Sequence, residues 1–247
     1  VAIAAVNVVL LQRILGRIKM PKTDYTKLRT KVLGIIEGLA LSNPEYNKLR
    51  KLLILCEQVH SGSRKDGSKE FSHQLEMIAF ALTYHTQLES PLEVYLAILI
   101  HDVIEDYPGM RLAIERDFPE ELKYSDRLSK FKDPDGGYGL YFANLSTCPI
   151  CSIAKLIDRV HNLSTAPGVF KTAKILEYCK ETEQYYFELI RMCKENFTNR
   201  NVYENLKFIL TTQVNTIQSL VPQEQNEVYQ TSIELYKLNT IKVDKNE

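Results

Sequence analysis

The chain has 247 residues, 45% of them hydrophobic and 25% charged, with 31 basic side chains against 31 acidic ones. Such a composition excludes a disordered or fibrous chain and fits one large soluble domain, or one domain with an appendage. A formal net charge of zero argues against a phosphate-coated polymer as partner, so no nucleic acid polymer is expected, while a small anion held by a few local cations is compatible with it.

Val1 to Leu11 is almost wholly apolar and is followed by Arg13, Arg17 and Lys19. That run is too short to span a bilayer, and its positive charges follow the apolar stretch, the reverse of a signal peptide. Residues 1–19 therefore read as an apolar extension, either an appended or upstream-translated segment or a docking helix. A weak membrane-surface helix is the third reading, and no membrane association is expected.

From Asp24 to Leu41, apolar residues at Leu28, Val32, Ile35, Ile36 and Leu39 recur at helical spacing. Asn43-Pro44 breaks the chain, and a second helix is predicted from Glu45 to His60. Ser61 to Ser72 is polar and basic with two glycines and reads as a loop. Helices are predicted over His73–Gln87 and Pro91–Ile104, with Ser90 as N-cap of the latter. Asp133-Pro134-Asp135-Gly136-Gly137 is a strong turn signal. Further helices are predicted over Ile150–Leu163, Val169–Lys194, Asn201–Leu220 and Gln223–Leu238, with a charged, frayed tail from Lys242. Without strand-like alternation, the fold class is all-α, with residues 20–195 as the principal domain and residues 196–247 as C-terminal helices packed on it.

The five cysteines are Cys56, Cys148, Cys151, Cys179 and Cys193. An odd count without a secretory signature fits reduced thiols and a cytoplasmic setting. Cys148 and Cys151 form a C-x-x-C. With no second such pair and no close histidine pair, they read as two small residues at a helix start, Pro149 in its first turn, rather than as a zinc half-site or redox pair.

The chemistry concentrates at His101-Asp102-Val103-Ile104-Glu105-Asp106. Read as one helix, the string places His101 over Glu105 and Asp102 over Asp106. It follows an apolar run, Val94 to Ile100, and so much acid beside a buried segment requires a compensating cation, most simply a divalent metal. Only five histidines are present, and His73, at a loop–helix junction, is a candidate further ligand. Asp158 is another, because its neighbours Leu156, Ile157 and Val160 would make an unpaired carboxylate expensive.

His73, His101-Asp102 and Asp158 together resemble the H…HD…D signature of the HD-domain metal-dependent phosphohydrolases. The local strings resemble more closely the hydrolase domain of the RelA/SpoT enzymes, which remove pyrophosphate from (p)ppGpp. Arg64-Lys65-Asp66-Gly67 stands nine residues before His73, where that subgroup has a basic R-K-x-G loop. HDVIED resembles its H-D-V-V-E-D, and KLIDRVHNLST from Lys155 to Thr165 resembles K-L-A-D-R-L-H-N-M-R-T. Glu181-Thr182 and Tyr186 give a weaker echo of E-T-x-x-x-Y. The likeness covers roughly residues 49–190 and departs from the family where Ser68-Lys69-Glu70-Phe71 replaces a Pro-Tyr and Gln74 replaces a proline.

The resemblance implies an HD-domain helical bundle with extra N- and C-terminal helices. It also implies Mn²⁺ held by His73, His101, Asp102 and Asp158, with Glu105 and Asp106 activating the bound water. Arg64, Lys65, Asn162 and Thr165 would contact the nucleotide, and Arg159 and His161 would support the site or face other helices. His60 and His85 are expected to be structural. The activity implied is hydrolysis of the 3′-pyrophosphate of (p)ppGpp to GDP or GTP. Alternatives are HD phosphohydrolysis of another nucleotide, such as a dNTP, a cyclic nucleotide or the 2′-phosphate of NADPH, and an inactive nucleotide- or protein-binding module.

Overall fold

A computed structural model describes residues 23–130, 137–167 and 169–221, and every named element within them is helical. Helix α1 (Tyr25–Ser42) begins where the Asp24 carboxylate accepts the Lys27 N–H at 3.1 Å, satisfying one of the unpaired donors of its first turn. Helix α2 (Tyr46–Val59) follows Asn43-Pro44. The basic loop after it is a tight reversal, not a free coil: Ser63 and Lys69 form an isolated antiparallel bridge. Gly67 turns the chain at φ 79°, a region that side-chain-bearing residues enter at a penalty.

Helix α3 (Ser72–Ala81) tightens into a 3₁₀ turn over Leu82–Tyr84, short of the predicted end at Gln87. Helix α4 (Pro91–Ile100) buries eight of its ten residues. A helix apolar all round belongs at the centre of a bundle, and α4 packs against α2, α3 and α9 (Pro149–Thr165). Ser90 stands at its N-cap position, yet the hydroxyl makes no capping bond and Pro91 opens the helix instead.

The helix predicted over Pro91–Ile104 is in fact two. It stops at Ile100, and a single turn, α5 (Val103–Asp106), follows after Asp102 at φ −120°, ψ −2°. His101 and Glu105 therefore do not share one continuous helical face. The stretch after it, unassigned from the sequence, holds α6 (Arg111–Asp117) and α7 (Pro119–Leu128), both short. Asp133 to Gly136 of the predicted turn lie outside the described residues, and Gly137 leads into α8 (Tyr138–Leu145).

The predicted helix over Val169–Lys194 is also divided. It comprises α10 (Thr172–Glu181), a π-turn over Thr182–Tyr186, and α11 (Phe187–Asn196). Helix α12 (Arg200–Leu220) lies on α9, α10 and α11. Residues 1–19 and the predicted helix Gln223–Leu238 lie outside the described residues. Among the described residues no single helix is long and apolar enough to cross a membrane.

The core is thus two buried helices, α4 and α9, crossing at the centre with the others around them. Ile98, fully buried in α4, tests this. Ile98→Ala should lower unfolding stability by about 2–5 kcal/mol in urea titration, the range for cavities in cores that cannot collapse. A change below about 0.5 kcal/mol, the range of surface substitutions, would show that α4 is not central.

Candidate metal centre

The end of α4 makes the first donor. The His101 ring N–H at Nδ1 donates to the Ile98 carbonyl at 2.8 Å, an oxygen that a continuing helix would have used. The local turn therefore ends α4 and fixes the tautomer, because a carbonyl only accepts. His101 Nε2 is left facing Asp102 Oδ2 at 3.4 Å and Asp158 Oδ1 at 3.9 Å.

A relay makes the second. Glu76 Oε2 lies 2.6 Å from His161 Nε2, and His161 Nδ1 lies 2.9 Å from His73 Nδ1. A carboxylate accepts, so the His161 proton sits on Nε2, and His73 Nδ1–H must be the donor to His161 Nδ1. The lone pair of His73 Nε2 then points at Asp158 Oδ1, 3.2 Å away. Burial, above all, holds the His73 pKa down to about 4, so the ring is neutral at pH 7.

The two candidate carboxylates are Asp158 and Asp102, of which Asp102 falls with His73 and His101 in the group able to hold a metal. Burial alone would raise the Asp158 pKa, but the Lys155 ammonium, 3.1 Å from Oδ2, outweighs it and holds the carboxyl well below the usual carboxylate range. Lys155 is itself buried one turn earlier on α9. Asp102 is likewise held low against its burial, by His101 and His60. Its carboxylate takes His60 Nε2 at 3.2 Å and both Gln74 Nε2 contacts at 3.2 Å.

The Nε2 atoms of His73 and His101 and the carboxylates of Asp102 and Asp158 thus lie close together, and the His73 ring is neutral at pH 7. That arrangement is repulsive unless a cation is shared. Ligand atoms about 2.1 Å from one ion and at right angles to each other lie about 3 Å apart, close to the separations seen. One donor atom each from His73, His101 and Asp102 lies within 4.8 Å of the others, a grouping able to hold a divalent metal. Mixed imidazole and carboxylate donors suit an ion of intermediate hardness.

The remaining predicted residues surround this cluster unevenly. Glu105 and Asp106 are exposed on α5 beside Asp102. Glu105 accepts the Lys130 backbone N–H at 3.1 Å. Asp106 is pushed above its ordinary pKa by desolvation first, then by the Asp102 and Glu105 carboxylates. Lys65 lies 4.7 Å over the Phe170 ring, and Arg64 is half-buried at the tight turn. Asn162 donates to Asp158 Oδ1 at 2.7 Å, and the Thr165 hydroxyl donates to the His161 carbonyl at 3.0 Å. Both are occupied by their own helix.

Arg159 and His161 differ in kind. His161 orients His73. Arg159 is buried away from the cluster, bonded to Glu181 and to the Tyr186 hydroxyl. Residues five apart fall on different faces of an α-helix, and the π-turn brings these two to one guanidinium. Four residues gain supporting roles that the sequence does not assign them: His60, Gln74, Glu76 and Lys155. His60, expected to be structural, is bonded to Asp102, and its pKa is raised because that carboxylate outweighs its burial. His85, by contrast, faces the Tyr95 hydroxyl, away from the cluster.

Two outcomes follow for the metal-free and metal-loaded protein. Removing the far end of the relay, Glu76→Ala, should weaken the binding of an added divalent metal by roughly 10–100-fold in calorimetric titration; unchanged affinity would mean that His73 is oriented by packing alone. Without metal, His73 titrates near pH 4 folded against 6.5 ordinarily, so the unfolded chain binds more protons between those values. Stability should be full above pH 6.5 and fall as pH drops towards 4, by up to about 3 kcal/mol. His60, held above 6.5, titrates above this window, and Asp102 and Asp158, held below 3.8, titrate beneath it. His73→Gln should flatten the slope, and a wild-type stability independent of pH between 4 and 6.5 would contradict the assignment.

No family model matches the chain. Three curated proteins are distantly similar to it: the bifunctional (p)ppGpp synthase/hydrolase SpoT of Escherichia coli K12, and the guanosine-3′,5′-bis(diphosphate) 3′-pyrophosphohydrolases of Escherichia coli O157:H7 and Shigella flexneri. Each is 26% identical over 161 residues, which is 60% of this chain and 22% of the relative, so the chain spans about a fifth of the length of the relatives it matches. The chain is thus distantly related to enzymes of (p)ppGpp hydrolysis.

Proposed function

We propose that this protein is a metal-dependent phosphohydrolase that removes the 3′-pyrophosphate of (p)ppGpp, giving GDP or GTP. The observation that carries the reading is the grouping of His73, His101 and Asp102, able to hold a divalent ion, with Asp158 Oδ1 3.2 Å from His73 Nε2 and 3.9 Å from His101 Nε2. When bound, Mn²⁺ would lower the pKa of a coordinated water and polarise a phosphoryl oxygen.

The chain's own residues supply the rest. Asp106, exposed beside the cluster and raised in pKa, accepts the proton of the attacking water or returns one to the leaving group, with Glu105 beside it. Arg64 and Lys65, presented by the Gly67 turn, neutralise the pyrophosphate, the guanidinium as a fork and the ammonium as a point charge. Asn162 keeps one amide oxygen for a purine edge while its N–H holds Asp158.

A second reading, hydrolysis of another nucleotide by the same metal site, draws on one observation. Thr165 is bonded to its own helix backbone, so fewer side chains are free to select guanosine than the family resemblance implies. Purified protein with Mn²⁺ should be offered ppGpp, pppGpp, NADPH, dNTPs and cyclic nucleotides. Pyrophosphate release from ppGpp is expected, falling to background in Asp102→Asn and by about 10²–10⁴-fold in Asp106→Asn if that group moves the proton. Turnover of only another substrate would establish the second reading, and no turnover with no bound metal would overturn both.

A further inference from the structure

The start of α9 carries a second reactive feature, remote in chemistry from the metal cluster. Cys148 is the N-cap residue, extended at φ −135°, ψ 110°, with Pro149 at the first helical position. Its thiol is partly exposed, whereas Cys151, three residues on, is fully buried. Residues three apart in a helical first turn are neighbours on one face, within the reach of a disulfide.

We propose that Cys148 and Cys151 form a dithiol–disulfide pair that exchanges with low-molecular-weight disulfides of the glutathione class, Cys148 attacking and Cys151 resolving.

The surroundings divide the roles. The Cys151 thiol beside it, the N–H groups of the first turn of α9 and the Arg127 guanidinium all favour the Cys148 thiolate. Together these outweigh burial and bring Cys148 down to about 6, while Cys151 is pushed up. Arg127 is fixed by its bond to the Thr147 hydroxyl at 3.0 Å. The other three thiols, Cys56, Cys179 and Cys193, are buried and raised, so they are poor competitors. A zinc half-site is not supported by further ligands, since the one metal-competent group of three found among the described residues is His73, His101 and Asp102.

In the first step the Cys148 thiolate attacks one sulfur of the small disulfide. Its S–S bond breaks, one thiolate leaves, and a mixed disulfide forms on Cys148. In the second step Cys151 sulfur attacks Cys148 Sγ, displacing the second small thiolate, which takes up the proton lost by Cys151. Two protein thiols are oxidised to one disulfide, and one small disulfide is reduced to two thiols.

The full chain, reduced and then incubated with glutathione disulfide, tests this by intact mass and peptide mapping. The expected product is a Cys148–Cys151 crosslink with the other three cysteines still alkylatable. Cys151→Ser should instead accumulate glutathione on Cys148, and Cys148→Ser should give neither product. Alkylation of Cys148 in the reduced protein should be half-maximal near pH 6. Stable glutathione on Cys148 in the wild type, a crosslink to another cysteine, no reaction at all, or alkylation that rises only above pH 8 would each overturn the proposal.

Discussion

Asp158 is a carboxylate buried in the middle of the longest buried stretch of helix, and the molecule is arranged around keeping it charged. Its pKa stays low despite burial because the Lys155 ammonium lies one turn back on the same helix. An ion pair at this depth is poor evidence of net stability, since desolvating each partner costs several kcal/mol. Its value is positional. The Lys155 ammonium holds Oδ2, which leaves Oδ1 aimed at His73 and His101. Replacing the pair with apolar residues would pack α9 equally well and remove one wall of the site.

The histidines then need the right tautomer, and the fold supplies it by breaking regular structure. His101 gains a defined Nδ1 proton by taking the Ile98 carbonyl, which ends α4 and turns the chain into Asp102. His73 gains one from the His161–Glu76 relay, which spans α3 and α9. Both devices leave Nε2 as acceptor, the state a metal ligand requires. The site therefore sits where the two most buried helices, α4 and α9, meet α3, and each of the three provides at least one donor.

How much of this could be read beforehand follows from the range of each signal. The α1, α2, α9 and α12 helices carry long apolar periodicity and lie within a residue or two of their expected bounds. The breaks were missed because they arise from tertiary demand. Nothing local in Pro91–Ile104 marks the stop at Ile100, since the competing donor is a side chain, and the residues of the π-turn have ordinary helical composition. The placement of His73 beside Asp158 was reachable only through spacing that resembles a family. Glu76 carries no local signal and Gln74 stands out only as a replaced proline, since their roles appear only when α3 is laid against Asp102 and His161.

The break in the predicted Val169–Lys194 helix bears on the site from the opposite side. Arg159 directly follows Asp158 and is buried, so it needs acceptors, which a regular helix would present on diverging faces. The π-turn brings Glu181 and Tyr186 together on it. Glu181 also binds the Lys130 ammonium at 2.6 Å, and the Lys130 backbone N–H reaches Glu105. One chain of contacts thus runs from the residue after Asp158, through the π-turn, to Glu105 beside the cluster. Glu105 is exposed, and the Lys130 N–H restricts the rotamers it would otherwise sample. The same chain explains why the echo of E-T-x-x-x-Y in the sequence, remote from every metal donor, belongs with the others: its glutamate and tyrosine hold the neighbour of Asp158 in place.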